Sequence, residues 1–123
     1  MKIKRLGLLS ASLIIVTVLF LNNSCKHDGI PADQMAPVPF SDVKQIYNDY
    51  CVKCHSGGKG GESRLDFTDY PGIIKTITPG NSSKSNSYQA MISTIRIMPP
   101  NIAVPTNKRT LIRLWIDQGA KNE

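Results

Sequence analysis

The sequence predicts one small helical domain, and three observations carry that reading. Apolar residues recur at i, i+3, i+4 and i+7 in Val43, Ile46, Tyr47 and Tyr50, and again in Tyr88, Met91, Ile92 and Ile95. A third stretch, Leu111, Ile112, Leu114, Trp115 and Ile116, covers one broad helical face, with Arg109, Arg113 and Asp117 on the other. Strand-like alternation is confined to Leu65 and Phe67 between Arg64, Asp66 and Thr68, a short extended segment at best.

The first stripe runs directly into Cys51-Val52-Lys53-Cys54-His55. A Cys-x-x-Cys-His run is the attachment signature of c-type haem. Two thiols at that spacing add across the two vinyl groups of one haem, and the adjacent imidazole is held where it binds the iron axially. Zinc is the first alternative, but it takes about four N or S ligands, and beyond this run only Cys25 and His27 remain. A thioredoxin-like redox pair expects a βαβ setting, which the pattern does not offer. A plain disulfide leaves His55 without a use. Covalent haem accounts for all three residues.

Length and charge agree. The chain has 123 residues, enough for one domain with a modest core, to which a large apolar cofactor would add. The formal charge of +6 is concentrated at the start: residues 1–24 hold Lys2, Lys4 and Arg5 and no acid, leaving 12 basic and 9 acidic residues beyond them. Nothing there calls for nucleic acid.

Residues 1–24 read as a lipoprotein signal. Lys2, Lys4 and Arg5 form a basic start, and the apolar run from Leu6 to Leu21 is shorter than a membrane-spanning helix requires. Leu21-Asn22-Asn23-Ser24-Cys25 follows, with no A-x-A site. It is similar to a relaxed bacterial lipobox, in which the cysteine becomes the acylated first residue; the asparagine pair departs from the common form. Acylation of Cys25 would use the one cysteine left over in an exported protein. Residues 25–39, with Pro31, Pro37 and Pro39, read as a flexible tether carrying His27. The domain is expected over 40–123.

Within it, Ser41 is the expected N-cap of the first helix, with Asp42 in the first turn. Glycines at 57, 58, 60 and 61 permit tight turns after His55 and lack a phosphate-loop pattern. Tyr70-Pro71 opens a possible short helix through Ile77. A helix is expected over 86–95, and Pro99-Pro100 leaves Met98 in a loop. The last helix starts from Thr106 as N-cap and ends at Gly119.

A helix entering Cys-x-x-Cys-His, a Leu-Asp stretch, a Pro-Gly-Asn loop, Met-Pro-Pro and Trp115-Ile116-Asp117-Gln118-Gly119-Ala120 together resemble a small monohaem cytochrome c of the planctomycete type, over about residues 40–121. The resemblance implies an all-α, class I-like domain wrapped around one covalent haem c. It carries Cys51 and Cys54 over as thioether positions and His55 and Met98 as axial iron ligands. The residues support Met98 in their own right. A thioether is a soft ligand that favours reduced iron, and the two prolines pin Met98 in a loop. Met91, the competitor, sits in an amphipathic stripe where a methionine is ordinarily packing.

The expected function is electron transfer at the bacterial cell envelope, from a membrane-anchored lipoprotein to redox protein partners. It needs no small-molecule substrate and no nucleic acid. The competing readings are an open-site haem enzyme or gas sensor, and a haem subunit of a larger envelope oxidoreductase.

Overall fold

A computed structural model describes residues 30–57 and 64–123. Its helices are α1 (Phe40–Tyr50), α2 (Tyr70–Ile74), α3 (Asn86–Ile92) and α4 (Thr106–Asp117), with 3₁₀ turns at Ala32–Gln34 and Ser82–Lys84. There is no strand among the described residues, so the domain is all-α. No helix among them is long and apolar enough to cross a membrane.

The longest helices follow their stripes. Val43, Ile46 and Tyr47 of α1 are buried, as are Ile112, Trp115 and Ile116 of α4, and the two helices pack together. α1 begins at Phe40, one residue ahead of the expected Ser41 cap, after an extended Pro39. No side chain caps it. The Phe40 amide instead donates to the Glu123 carbonyl (2.8 Å), so the C-terminal residue serves the helix start. α4 likewise takes Thr106 as its first helical residue, with Pro105 in the cap position.

α3 stops at Ile92, three residues short of the expected end. Ser93 turns extended (φ −62°, ψ 141°), and its Oγ accepts from the amides of Ile95 (3.2 Å) and Arg96 (3.0 Å). This local bonding competes with the helix ladder. Ile95 therefore leaves the stripe and is 90% exposed.

The Trp-Ile-Asp-Gln-Gly run at the end of α4 ties the chain together. The Gly119 amide donates to Ile116 O and the Ala120 amide to Trp115 O, with Gly119 at φ 102°, a Schellman ending. Trp115 Nε1 donates to Lys121 O (2.8 Å), and the ring packs with Phe40 and Tyr70. Asp117 Oδ1 accepts from the Ser82 amide (3.0 Å), holding the 3₁₀ turn. Gln118 grips the segment leading into α1: its Oε1 accepts from the Val38 amide (2.9 Å) and its Nε2 donates to the carbonyls of Ala32 (3.0 Å) and Ala36 (3.1 Å). Residues 32–38, read from the sequence as tether, are thus docked on α4. Cys25 and His27 lie outside the described residues.

α2 is capped by Asp69, whose Oδ1 accepts from the Gly72 amide (2.9 Å). Gly72 meets the Asp66 backbone so closely that a Cβ there would stand 1.9 Å from the Asp66 carbonyl oxygen. Gly72→Ala should therefore push Asp66 and Phe67 aside and cost about 1–3 kcal/mol, read by denaturant unfolding of the holoprotein.

Candidate functional site

A cavity of about 660 Å³ lies at the C-terminal end of α1, with mostly apolar walls. Cys51, Cys54 and His55 line it on one side, Leu65 and Phe67 continue that wall, and Ser87, Ala90 and Met91 come from α3. Met98, Pro99 and Pro100 line it from the loop beyond α3, and the Met98 amide donates to Ala90 O (2.9 Å), pinning that loop to the helix.

The cysteine wall is built by backbone hydrogen bonds. The amides of Cys51 and Val52 both donate to Tyr47 O (2.8 and 3.0 Å), which ends the helix. The Cys51 carbonyl then accepts from the amides of Cys54 (3.1 Å) and His55 (3.0 Å). This turn brings both thiols and the imidazole to one cavity. No disulfide joins the cysteines; Cys51 is buried and Cys54 exposed. Burial pushes the Cys51 thiol up to about 12, so the chain without cofactor keeps it protonated.

Behind the wall, His55 O accepts from the Phe67 amide (2.9 Å), and the two rings lie 5.0 Å apart between centroids. Phe67 in turn stands edge-on to Tyr47 (5.2 Å), and the Tyr47 hydroxyl shares a 2.8 Å hydrogen bond with Ser87 Oγ of α3. Burial holds the Tyr47 phenol far above its ordinary range, against the lowering influence of Ser87. Asp66 Oδ1 accepts from the side chain (2.7 Å) and amide (2.9 Å) of Thr68. Those bonds, with one from the Gly57 amide, hold its carboxyl below the usual range. Asp66 thus joins the two ends of the glycine-rich loop.

The four residues singled out in the sequence and within the described region, Cys51, Cys54, His55 and Met98, all line this one cavity. Met91 lines it too, but is 2% exposed within the core, whereas Met98 is 45% exposed on its loop. Met35 is elsewhere, lining a second hollow against α4. Trp115 belongs to the core and is not among the cavity's lining residues. Among the described residues, no group of three or more His, Cys, Asp or Glu side chains could hold a metal ion, so a zinc cluster finds no support there. Sequence reasoning missed Asp66, Ser87 and Gly72. Asp-x-Thr offered a turn cue for the first, but Ser87 acts through Tyr47, forty residues away, and Gly72 through a close backbone approach to Asp66 that has no local sequence sign.

Two thiols, an imidazole and a thioether on an apolar cavity are the donor set of a haem c site. Residues 51–101 match the family described as Planctomycete cytochrome C. That match supports a planctomycete-type cytochrome c domain over those residues. The matched stretch opens on Cys51 and takes in His55, Asp66 and Met98-Pro99-Pro100, while α4 lies beyond it. No curated protein and no solved structure matches the chain. A cytochrome c domain points to covalently bound haem c, haem-based electron transfer and redox protein partners.

Tyr47 gives the packing behind the site a pH signature. The native state holds its phenolic proton more tightly than the unfolded chain, whose tyrosines ionise near pH ~10. Its stabilisation is thus complete below that pH and is lost as pH rises above it. Tyr47→Phe should cost about 1–2 kcal/mol at neutral pH by stranding the Ser87 hydroxyl. The fall in stability as pH rises above roughly 10 should become shallower, as measured by denaturant titrations across that range.

Proposed function

We propose that this protein is a monohaem electron-transfer cytochrome of the bacterial cell envelope. One observation carries the reading: Cys51, Cys54, His55 and Met98 converge on a single apolar cavity large enough for one bulky ligand. Haem bound there supplies a one-electron ferric–ferrous couple. Cys51 and Cys54 would hold it by thioether bonds. His55, backed by Phe67, and Met98 would supply an imidazole and a thioether to its iron. A soft thioether there would favour the reduced state and resist exogenous ligands. Phe67, Met91 and Leu65 give the site apolar walls, so a change of charge there would take place in a fixed, weakly polar setting.

The same reading places the protein at the membrane through acylated Cys25, since a basic start, an apolar run and a lipobox-like Leu21–Cys25 precede the domain. The docked segment 32–38 then leads from anchor to haem domain. The protein works with redox partners and needs no small-molecule substrate; whether it also serves as a subunit of a larger oxidoreductase is tested by co-purification from membranes.

The sixth ligand separates electron transfer from an open-site enzyme or sensor. The ferric holoprotein should show a sulfur–iron charge-transfer band in the far red and, when reduced, resist carbon monoxide. Met98→Ala should abolish the band, lower the potential and admit carbon monoxide. Met91→Ala should instead cost about 2–5 kcal/mol of stability through a core cavity and leave the band in place. A parent without the band that binds carbon monoxide readily overturns Met98 ligation.

A further inference from the structure

The loop that carries Met98 has a surface that its packing does not explain. Among the described residues, the exposed large apolar side chains are Ile30, Leu65, Ile92, Ile95, Met98 and Ile102. Leu65 and Met98 line the cavity, and Ile92, Ile95 and Ile102 flank Met98 within residues 92–102; only Ile30 lies apart. Ile95 is 90% and Ile102 67% exposed. Single exposed apolar residues are ordinary, but a concentration beside a functional cavity marks an interaction surface.

The loop is not exposed for want of anchorage. Ser93 Oγ binds the amides of Ile95 and Arg96, the Met98 amide binds Ala90 O, and Val104 is buried at the far end. The fold holds these isoleucines in solvent on a fixed frame, which keeps the entropic cost of docking low.

Charge decides what docks there. Between Asp69 and Asp117 the sequence has no acidic residue, while Lys75, Lys84, Arg96, Lys108, Arg109 and Arg113 fall within that run. α3, the Met98 loop and α4 up to Ile116 all come from it. Arg96 is exposed within the loop itself, and Lys108 lies in the first turn of α4 just beyond it. The nine acids lie instead between Asp28 and Asp69 or at Asp117 and Glu123, and Asp117 is engaged with Ser82.

Resting on the electron-transfer reading, we infer that the Met98 loop is the docking surface for a redox protein with an acidic face: Ile92, Ile95 and Ile102 seat against its apolar centre, and Arg96 and Lys108 meet carboxylates at its rim. Apolar contact at the centre gives affinity, and the flanking charge gives rate and choice of partner. The electron then leaves beside the Met98 side of the cavity.

A small acidic blue-copper protein serves as the probe. Mixed with ferrous holoprotein it takes one electron, giving ferric haem and Cu(I), and stopped-flow absorbance gives the second-order rate constant. That constant should fall steeply with rising salt. Arg96→Glu should lower it about tenfold at low salt and flatten the salt dependence. Ile95→Ser should lower it about fivefold at every salt concentration, leaving oxidation by ferricyanide unchanged. A parent that ferricyanide oxidises normally, but whose reaction with the copper protein ignores both salt and these variants, overturns this inference alone. A parent that ferricyanide does not oxidise overturns the electron-transfer reading and this inference with it. The third arm uses vesicles of phosphatidylglycerol and phosphatidylcholine with Cys25→Ala holoprotein. Binding that Arg96→Glu and Ile95→Ser abolish, with protein oxidation unchanged, assigns the loop to a membrane surface and overturns the inference.

Discussion

The rest of the structure depends on the turn that ends α1. Tyr47 O accepts two amides and Cys51 O accepts two more, so four consecutive hydrogen bonds fix the path from helix to His55. That path decides where both thiols and the imidazole stand. Almost everything else within reach braces it: Phe67 binds the His55 carbonyl and backs its ring, Asp66 joins Gly57 to Thr68, and Gly72 permits α2 to lie against the Asp66 backbone. A side chain at Gly72 would disturb the cysteine-bearing wall without touching the cavity.

The domain solves the problem of a small core in two ways. Around the Phe40, Tyr70 and Trp115 cluster, aromatic packing is combined with polar clamps from the end of α4, so that Asp117 and Gln118 hold segments far away in the chain. At the other end of α1 there is a cavity in place of packed side chains. A domain of this size gains much of its stability from few contacts, and a covalent apolar cofactor would complete the core where the protein itself leaves it open. Folding and cofactor attachment are then coupled, and positions behind the cavity act on both.

Much of this was legible in the residues. The stripes of α1 and α4 announced their buried faces, Gly119 its C′ position, and Cys51-x-x-Cys54-His55 its place at the end of α1, because each has a periodic or positional signature. The end of α3 was not: Ile95 continues the helical period, and only the Ser93 side chain, bonding forward to two amides, breaks it. The start of α1 lies two residues earlier than a Ser41 cap implies, because the Phe40 amide is served by Glu123, more than eighty residues away. Gln118 could not be read as a clamp on residues 32–38, since a glutamine on a helix face carries no sign of what it will grip. Long-range polar contacts of this kind leave no local pattern.

In the proposed function the turn after α1 holds one haem through two thioether bonds. Intact-mass spectrometry of holoprotein made in a host with c-type maturation, before and after acid–organic extraction, tests it most directly. The expected mass is that of the polypeptide plus a single haem, unchanged by extraction, with the added mass lost when Cys51 and Cys54 are both replaced by alanine. A polypeptide mass without haem, or haem that extracts freely from the parent, would contradict it.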